Sequence, residues 1–252
     1  MQMRLKIAFL WMRWGVRAGG ILVFCLAAAA GPGVIPAGAG LWEAQKKTLV
    51  LDPGHGGQDT GVQGLGGSVE KDVVLAFARL METRLNQVYR VVLTRTDDYA
   101  VKIPMRTAAA NHEKADLFIS IHAAASLHPE NHGIEVFCFE ASDPHGSREG
   151  EPSGFPGDAA QAPLFWDRLQ ARHQKASEAF AGILKEVLGR ELKMAVRIHQ
   201  APVLILKGAD MPAVLMEIGY LTHPQDAKRL QNPAEAARFA DAICDAVSDY
   251  LK

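Results

Sequence analysis

Residues 48–57 read Thr-Leu-Val-Leu-Asp-Pro-Gly-His-Gly-Gly. The run from Thr48 to Leu51 predicts a short strand, and Asp52-Pro53-Gly54 stops it, because proline and glycine force a loop at the strand end. In α/β folds, loops at strand ends are where sites are built, so His55 is the first candidate functional residue.

Working outward, Val74, Phe77, Ala78, Met81 and Leu85 recur at helical spacing and predict an amphipathic helix over residues 71–87. Glu70 then sits at or just before its first turn. Residues 89–93 read as the next strand, 105–114 as a helix starting after Pro104, and 117–121 as an apolar strand buried on both faces that delivers His122 at its end. Residues 134–139 are another β-rich run. Residues 141–163, full of Gly, Pro, Ser and charge, read as a mobile surface excursion. Helical periodicity over 164–188, strand-like runs at 203–206 and 213–218, and an amphipathic helix over 233–250 complete the pattern. The alternation predicts a single three-layer α/β domain over residues 46–252, with a central twisted, mostly parallel or mixed sheet flanked by helices. No repeat or appended binding module is visible.

The 252 residues hold 27 basic and 28 acidic side chains, a balance that points to neither nucleic acid nor an anionic surface as partner. Hydrophobic content of 48% with 22% charged residues is that of a globular domain with a real core. Residues 1–40 stand apart. Arg4, Lys6, Arg13 and Arg17 make a basic start, residues 21–30 an apolar run, and Ala37-Gly38-Ala39 resembles a signal-peptidase site. The expectation is an exported protein of the periplasm or cell envelope. The alternative is an N-terminal membrane segment left uncleaved, with Trp11 and the apolar residues before it as a second greasy patch, although the uninterrupted run is shorter than the roughly 20 residues a spanning helix needs. Phe24 before Cys25 argues against lipidation, and Cys138 and Cys244 read as buried thiols rather than a bridge.

Three candidates for one metal site fall at element boundaries: His55, Glu70 and His122. Two imidazoles and a carboxylate are a known catalytic zinc set that leaves a fourth position for water. Glu217 lies in the otherwise apolar Ala213-Val214-Leu215-Met216-Glu217-Ile218-Gly219-Tyr220, where burial raises a carboxyl pKa toward that of a useful general base. Each has a plainer alternative: a hydrogen-bonding loop histidine, a glutamate drawn to a helix N-terminus by its dipole, or a buried partner of an arginine. Spacing alone leaves these open.

The ordered blocks Asp52-Pro53-Gly54-His55-Gly56-Gly57, Glu70-Lys71, Leu93-Thr94-Arg95-Thr96-Asp97-Asp98, Pro104-Met105-Arg106, residues 115–122, Gly133-Ile134-Glu135-Val136 and residues 211–221 together resemble the amidase 3 family of N-acetylmuramoyl-L-alanine amidases from Thr48 onward. The resemblance implies a zinc-dependent hydrolase that cuts the amide between N-acetylmuramic acid and L-alanine in peptidoglycan. It also implies one zinc ion per site held by His55, Glu70 and His122, with Glu217 as the catalytic glutamate. Arg106 aligns with an arginine common in the family and either orients a site carboxylate, as a candidate substrate-side residue, or simply pairs on its helix. The chain departs from the family at Ala123-Ala124-Ala125, where a small residue followed by Asp or Asn is usual. Some members carry a helical insert that blocks the zinc until a protein activator displaces it; residues 141–163 are too short and too rich in Gly and Pro for that device, which leaves a loop plug as the alternative. His112, His128, His132, His145, His173, His199 and His223 match no ligand position and read as surface residues. Two rival functions are a zinc peptidase acting within the stem peptide and a non-catalytic peptidoglycan-binding module.

Overall fold

The computed structural model describes residues 46–128, 130–140 and 169–252. The expected leader at 1–40 and the surface excursion at 141–163 lie outside them. Six strands, β1 (Thr48–Pro53), β2 (Arg90–Leu93), β3 (Leu117–Ala124), β4 (Ile134–Phe139), β5 (Val196–Ala201) and β6 (Ala213–Tyr220), form one sheet in the order β2-β1-β3-β6-β4-β5. Strands β2, β1, β3 and β6 run parallel; β4 lies antiparallel to β6 and carries β5 parallel to itself. The sheet is mixed, as the sequence predicts.

Side chains alternate across each strand, and the two faces have different partners. Leu49, Leu51, Leu117, Ile119, Ile121, Val214 and Met216 form one core with α1 (Glu70–Leu85), α3 (Gln174–Leu192) and α5 (Pro233–Tyr250). Phe77 of α1 meets Phe239 of α5 edge-on at 5.1 Å. On the opposite face Val50, Phe118 and Ala213 pack under Ala110 of α2 (Ile103–His112) and Ile205 and Leu206 of a 3-10 turn. The central strands are therefore apolar on both faces, which is why they read as continuous runs.

Four expectations need correction. Residues 203–206 do not form a strand: Leu204–Leu206 is a 3-10 turn, since a short apolar run carries no period to separate turn from strand. Strand β5 was not expected, because at the sheet edge only Val196 of its residues is buried and the strand lacks an apolar signature. Strand β3 continues through His122 to Ala124 rather than ending before it. Within residues 164–188 the described residues 169–171 are helical, a turn at 172–173 interrupts them, and α3 runs from Gln174. A separate α4 (Pro224–Gln231) precedes α5, whose start is fixed by Asn232, accepting from the backbone N–H groups of Ala234 and Glu235 at 3.0 and 3.1 Å. Cys138 and Cys244 are buried free thiols, pushed up to about 11 and about 12 by burial. Among the described residues no helix is long and apolar enough to cross a membrane.

Candidate metal centre

The parallel strands end at one edge of the sheet, and three side chains from separate elements converge there. His55 comes from the loop after β1, Glu70 opens α1, and His122 lies near the end of β3. His55 Nε2 and His122 Nδ1 each lie 3.0 Å from Glu70 Oε1, and the two rings stand edge to face at 4.9 Å. A tetrahedral zinc with bonds near 2.1 Å separates its ligand atoms by about 3.4 Å; the two contacts to Glu70 are close to that spacing, and all three donors lie within 4.8 Å of one another. These residues are a group able to hold a metal ion.

Glu70 is 2% exposed and every oxygen is used. Its Oε2 accepts from Val62 N–H at 2.9 Å, and Oε1 accepts from Ala123 N–H at 3.0 Å as well as facing both imidazoles. Ala123 N–H is available because β1 has already ended: its last link to β3 runs from Gly54 N–H to Ile121 C=O. Burial opposes ionisation of Glu70, but the hydrogen bonds from His122, His55 and the two backbone amides outweigh it and hold the carboxyl well below the usual range. Glu70 is thus an anion poised toward a cation. The other ring nitrogen of His55, Nδ1, lies 2.9 Å from Asp59 Oδ2 without hydrogen-bond alignment, so an acid stands ready to take the Nδ1 proton when a cation replaces the proton on Nε2. The same two acids, Glu70 first, raise the His55 pKa against its burial.

Glu217 sits directly beside His122 in the β3–β6 register, on the same face. Its Oε2 is buried and has no hydrogen-bond partner among the described residues. Burial, reinforced by the charges of Glu70 and Glu135 against those of the two histidines, pushes its carboxyl up to about 7. His55, Glu70, His122 and Glu217 line one open cleft of about 470 Å³ with Gly61, Val62 and the three alanines 123–125.

Residues 49–249 match the profile of a family described as N-acetylmuramoyl-L-alanine amidase. The chain belongs to that family. The N-acetylmuramoyl-L-alanine amidase AmiA of Escherichia coli strain K12 is 33% identical over 222 residues, which are 82% of this chain and 76% of that protein. AmiC of Neisseria meningitidis is 29% identical over 221 residues, 82% of this chain and 53% of AmiC, so the chain spans about half the length of some relatives it matches. The solved catalytic domain of CwlV, an N-acetylmuramoyl-L-alanine amidase from Paenibacillus polymyxa var. colistinus, superposes with a TM-score of 0.64 at 28% identity, over 81% of this chain and 98% of the domain.

In this amidase-family chain the His55 loop is held from below by two buried arginines. Arg95, fully buried, donates to the carbonyls of Pro53 (2.9 Å), Gly54 (2.7 Å), Lys71 (2.8 Å) and Asp97 (3.2 Å). Arg106 donates to Asp52 Oδ1 (2.8 Å) and to the carbonyls of Pro53 (2.7 Å), His55 (2.7 Å) and Val101 (2.9 Å). Asp52 is also bonded by Thr94 and, at 2.8 Å, by Ser120. Of the two readings of Arg106, this geometry favours the positioning one: it is 5% exposed and its donors face the loop rather than the cleft. The clamp holds His55 at φ 59°, a left-handed conformation that is strained for a residue with a Cβ. Lys71 and Asp98 close the loop from outside, through Gly57 C=O (2.8 Å) and Gly57 N–H (2.7 Å).

Sequence reasoning missed Asp52, Arg95 and Asp98 as site supports; their signal lay in the quoted motif blocks, which carried the family resemblance but no assigned role. The remaining described histidines stay away from the centre, though not all are simply exposed. His173 pairs with Asp210, His199 faces Glu135, and His132 stacks on His223 at 5.0 Å. His145 lies outside the described residues. At the departure from the family pattern, Ala124 and Ala125 line the cleft, and Ser126 N–H donates to Thr222 Oγ1 at 2.9 Å.

A Cβ added at Gly54 would lie 2.2 Å from His122 Cε1. Gly54→Ala is therefore expected to displace the His122 ring and weaken metal binding by about 10–100-fold with the fold retained, read by competition with a chromogenic chelator. Unchanged affinity would remove His122 from the ligand set.

Proposed function

We propose that the chain is a zinc-dependent N-acetylmuramoyl-L-alanine amidase of the cell envelope, with His55, Glu70 and His122 holding one zinc ion and Glu217 as the general base. The observation that carries this reading is the buried, unpartnered Oε2 of Glu217 beside three converging donors in an open cleft. Zinc, when bound, polarises a carbonyl and makes water a competent nucleophile near neutral pH. The chain's own residues do the rest. Glu70 supplies the fixed negative charge, and the arginine clamp holds the His55 loop so that no reorganisation is needed at reaction. Glu217 accepts the proton of the attacking water at its free Oε2 and returns it to the departing alanine nitrogen. The openness of the cleft suits a polymer with a peptide branch better than a small molecule. Residues 1–40 are the export segment of this reading and residues 46–252 its catalytic domain.

The free Glu217 oxygen also favours this reading over a non-catalytic binding module, in which nothing would keep such a carboxylate unpartnered. Digestion of purified peptidoglycan by the zinc-loaded protein is the test. Stem peptides beginning with alanine, released only without chelator, are expected; cuts within the peptide would replace the amidase with a peptidase, and intact wall would leave the binding module.

A further inference from the structure

The row of side chains that carries His122 and Glu217 continues across the sheet. Glu217 faces Glu135 of β4 in register, and Glu135 faces Arg197 of the edge strand β5. All four side chains share one face of the sheet, since register partners point the same way. The β3–β6 register shifts between His122–Glu217 and Ala124–Tyr220, so β6 carries an extra residue there, with Gly219 at φ 142°. The bulge returns Tyr220 to this same face, where its hydroxyl donates to Glu135 Oε1 at 2.6 Å.

Glu135 is enclosed by donors. Arg197 Nε and Nη2 reach its Oε1 at 3.1 and 2.7 Å, and His199 Nε2 lies 3.3 Å from its Oε2, with the His199 ring stacked on Phe137 at 4.9 Å. Burial works against the Glu135 charge, but the bonds from Tyr220 and Arg197 prevail and hold it below the usual carboxylate range. Its Oε1 is thus used up within the cluster. Arg197 is not: its side chain is 42% exposed, and it is anchored through one carboxylate oxygen and the His132 carbonyl at 3.0 Å, which leaves part of its guanidinium open to solvent.

We propose that Arg197 forms a carboxylate subsite for the departing stem peptide and selects a free carboxylate on the residue after the first alanine. The proposal rests on the amidase reading above, because the direction of the substrate follows from it. The scissile carbonyl must lie at the donors on the β3 side of Glu217, and the alanine nitrogen must lie within reach of Glu217 itself. The bond vector then runs from β3 toward β6, and the peptide continues over β4 and β5. Strands are about 4.8 Å apart, which puts the Arg197 charge, lying back over Glu135, roughly 5–10 Å from Glu217. An extended peptide covers about 3.3–3.6 Å per residue, so the second stem residue arrives there. In peptidoglycan that residue is joined through its side-chain carboxyl and keeps its α-carboxyl free or amidated. An arginine fork discriminates these two forms, since the carboxylate accepts charge-assisted bonds and the amide does not. Glu135, Tyr220 and His199 are positioning residues that fix the fork.

The test uses two muropeptides that differ only in whether the second residue carries a carboxylate or an amide. Their binding to zinc-loaded, full-length Glu217→Gln protein is measured by calorimetry, and their cleavage by the parent protein is followed in parallel. The carboxylate form is expected to bind about tenfold more tightly. Adding Arg197→Ala should erase that difference by weakening only the carboxylate form, and Arg197→Lys should restore part of it. Equal binding of the two forms, or an Arg197→Ala effect that is the same on both, overturns the subsite. If the parent protein cuts neither muropeptide while Glu217→Gln still discriminates, the subsite stands and the amidase reading is what fails.

Discussion

Replacing Glu217 by glutamine is expected to lower turnover by about 10²–10⁴-fold, the span that a positioned general acid–base supplies, and to leave metal content unchanged. Glutamine keeps the length and shape of the side chain but cannot carry the proton from water to amine. The effect should fall on kcat rather than KM, because Glu217 is proposed to act on the reacting atoms and not to bind the ground state. The variant should be no less stable than the parent, and more stable above pH 7. A carboxyl pushed up to about 7 by burial resists ionising in the fold, whereas in the unfolded chain it ionises near 4.5. The folded state therefore holds that proton longer, stability falls between those two values as pH rises, and the variant escapes the loss, which is on the order of 2 kcal/mol after allowance for partial exposure. Turnover within tenfold of the parent, measured on a soluble muropeptide with zinc content checked by metal analysis, would remove Glu217 from the mechanism.

Stripping the metal with a chelator is expected to abolish hydrolysis and also to reverse how stability responds to pH. In the metal-free chain the His55 pKa is raised in the fold. Its stabilising effect is fully present below pH 6.5 and is lost as pH rises through the folded value; the Glu217 contribution has the same sign. Zinc requires neutral imidazoles, so its contribution grows over the same interval. The difference in Tm between zinc-loaded and stripped protein should therefore widen from pH 5 to pH 8, and should shrink sharply in His122→Ala. A difference that stays level with pH would count against histidine ligation, whatever the effect of chelator on activity.

The two large effects rest on residues that the sequence made legible to different degrees. Strands β1, β3 and β6 and helix α1 could be read from apolar runs and a helical stripe, because burial on both faces or on one stripe leaves a periodic trace. Strand β5 left none: it lies at the sheet edge, and Arg197, Ile198 and Gln200 are exposed. His55, Glu70 and His122 were legible as chemistry at element boundaries and Glu217 as a lone carboxylate in an apolar strand, but their common purpose came only from the ordered motif blocks. The arginine clamp was only half legible: Arg106 stood out as a candidate to orient a carboxylate, but Arg95 carried no assigned role, and the loop groups both arginines hold lie about forty to fifty positions away.

By itself the sequence determined the central strands and the amphipathic helices, the α/β class with its mixed sheet, and the residue types available to a metal and a base. Only the tertiary structure decided that Glu70 reaches back from its helix to the Ala123 amide, that His55 is held at positive φ by Arg106, and that a bulge at Gly219 brings Tyr220 onto the Glu217 face. Periodicity is a local property, written into neighbouring residues by burial. Register and bulges are set by long-range pairing, and a shift of one residue moves every side chain to the opposite face of the sheet.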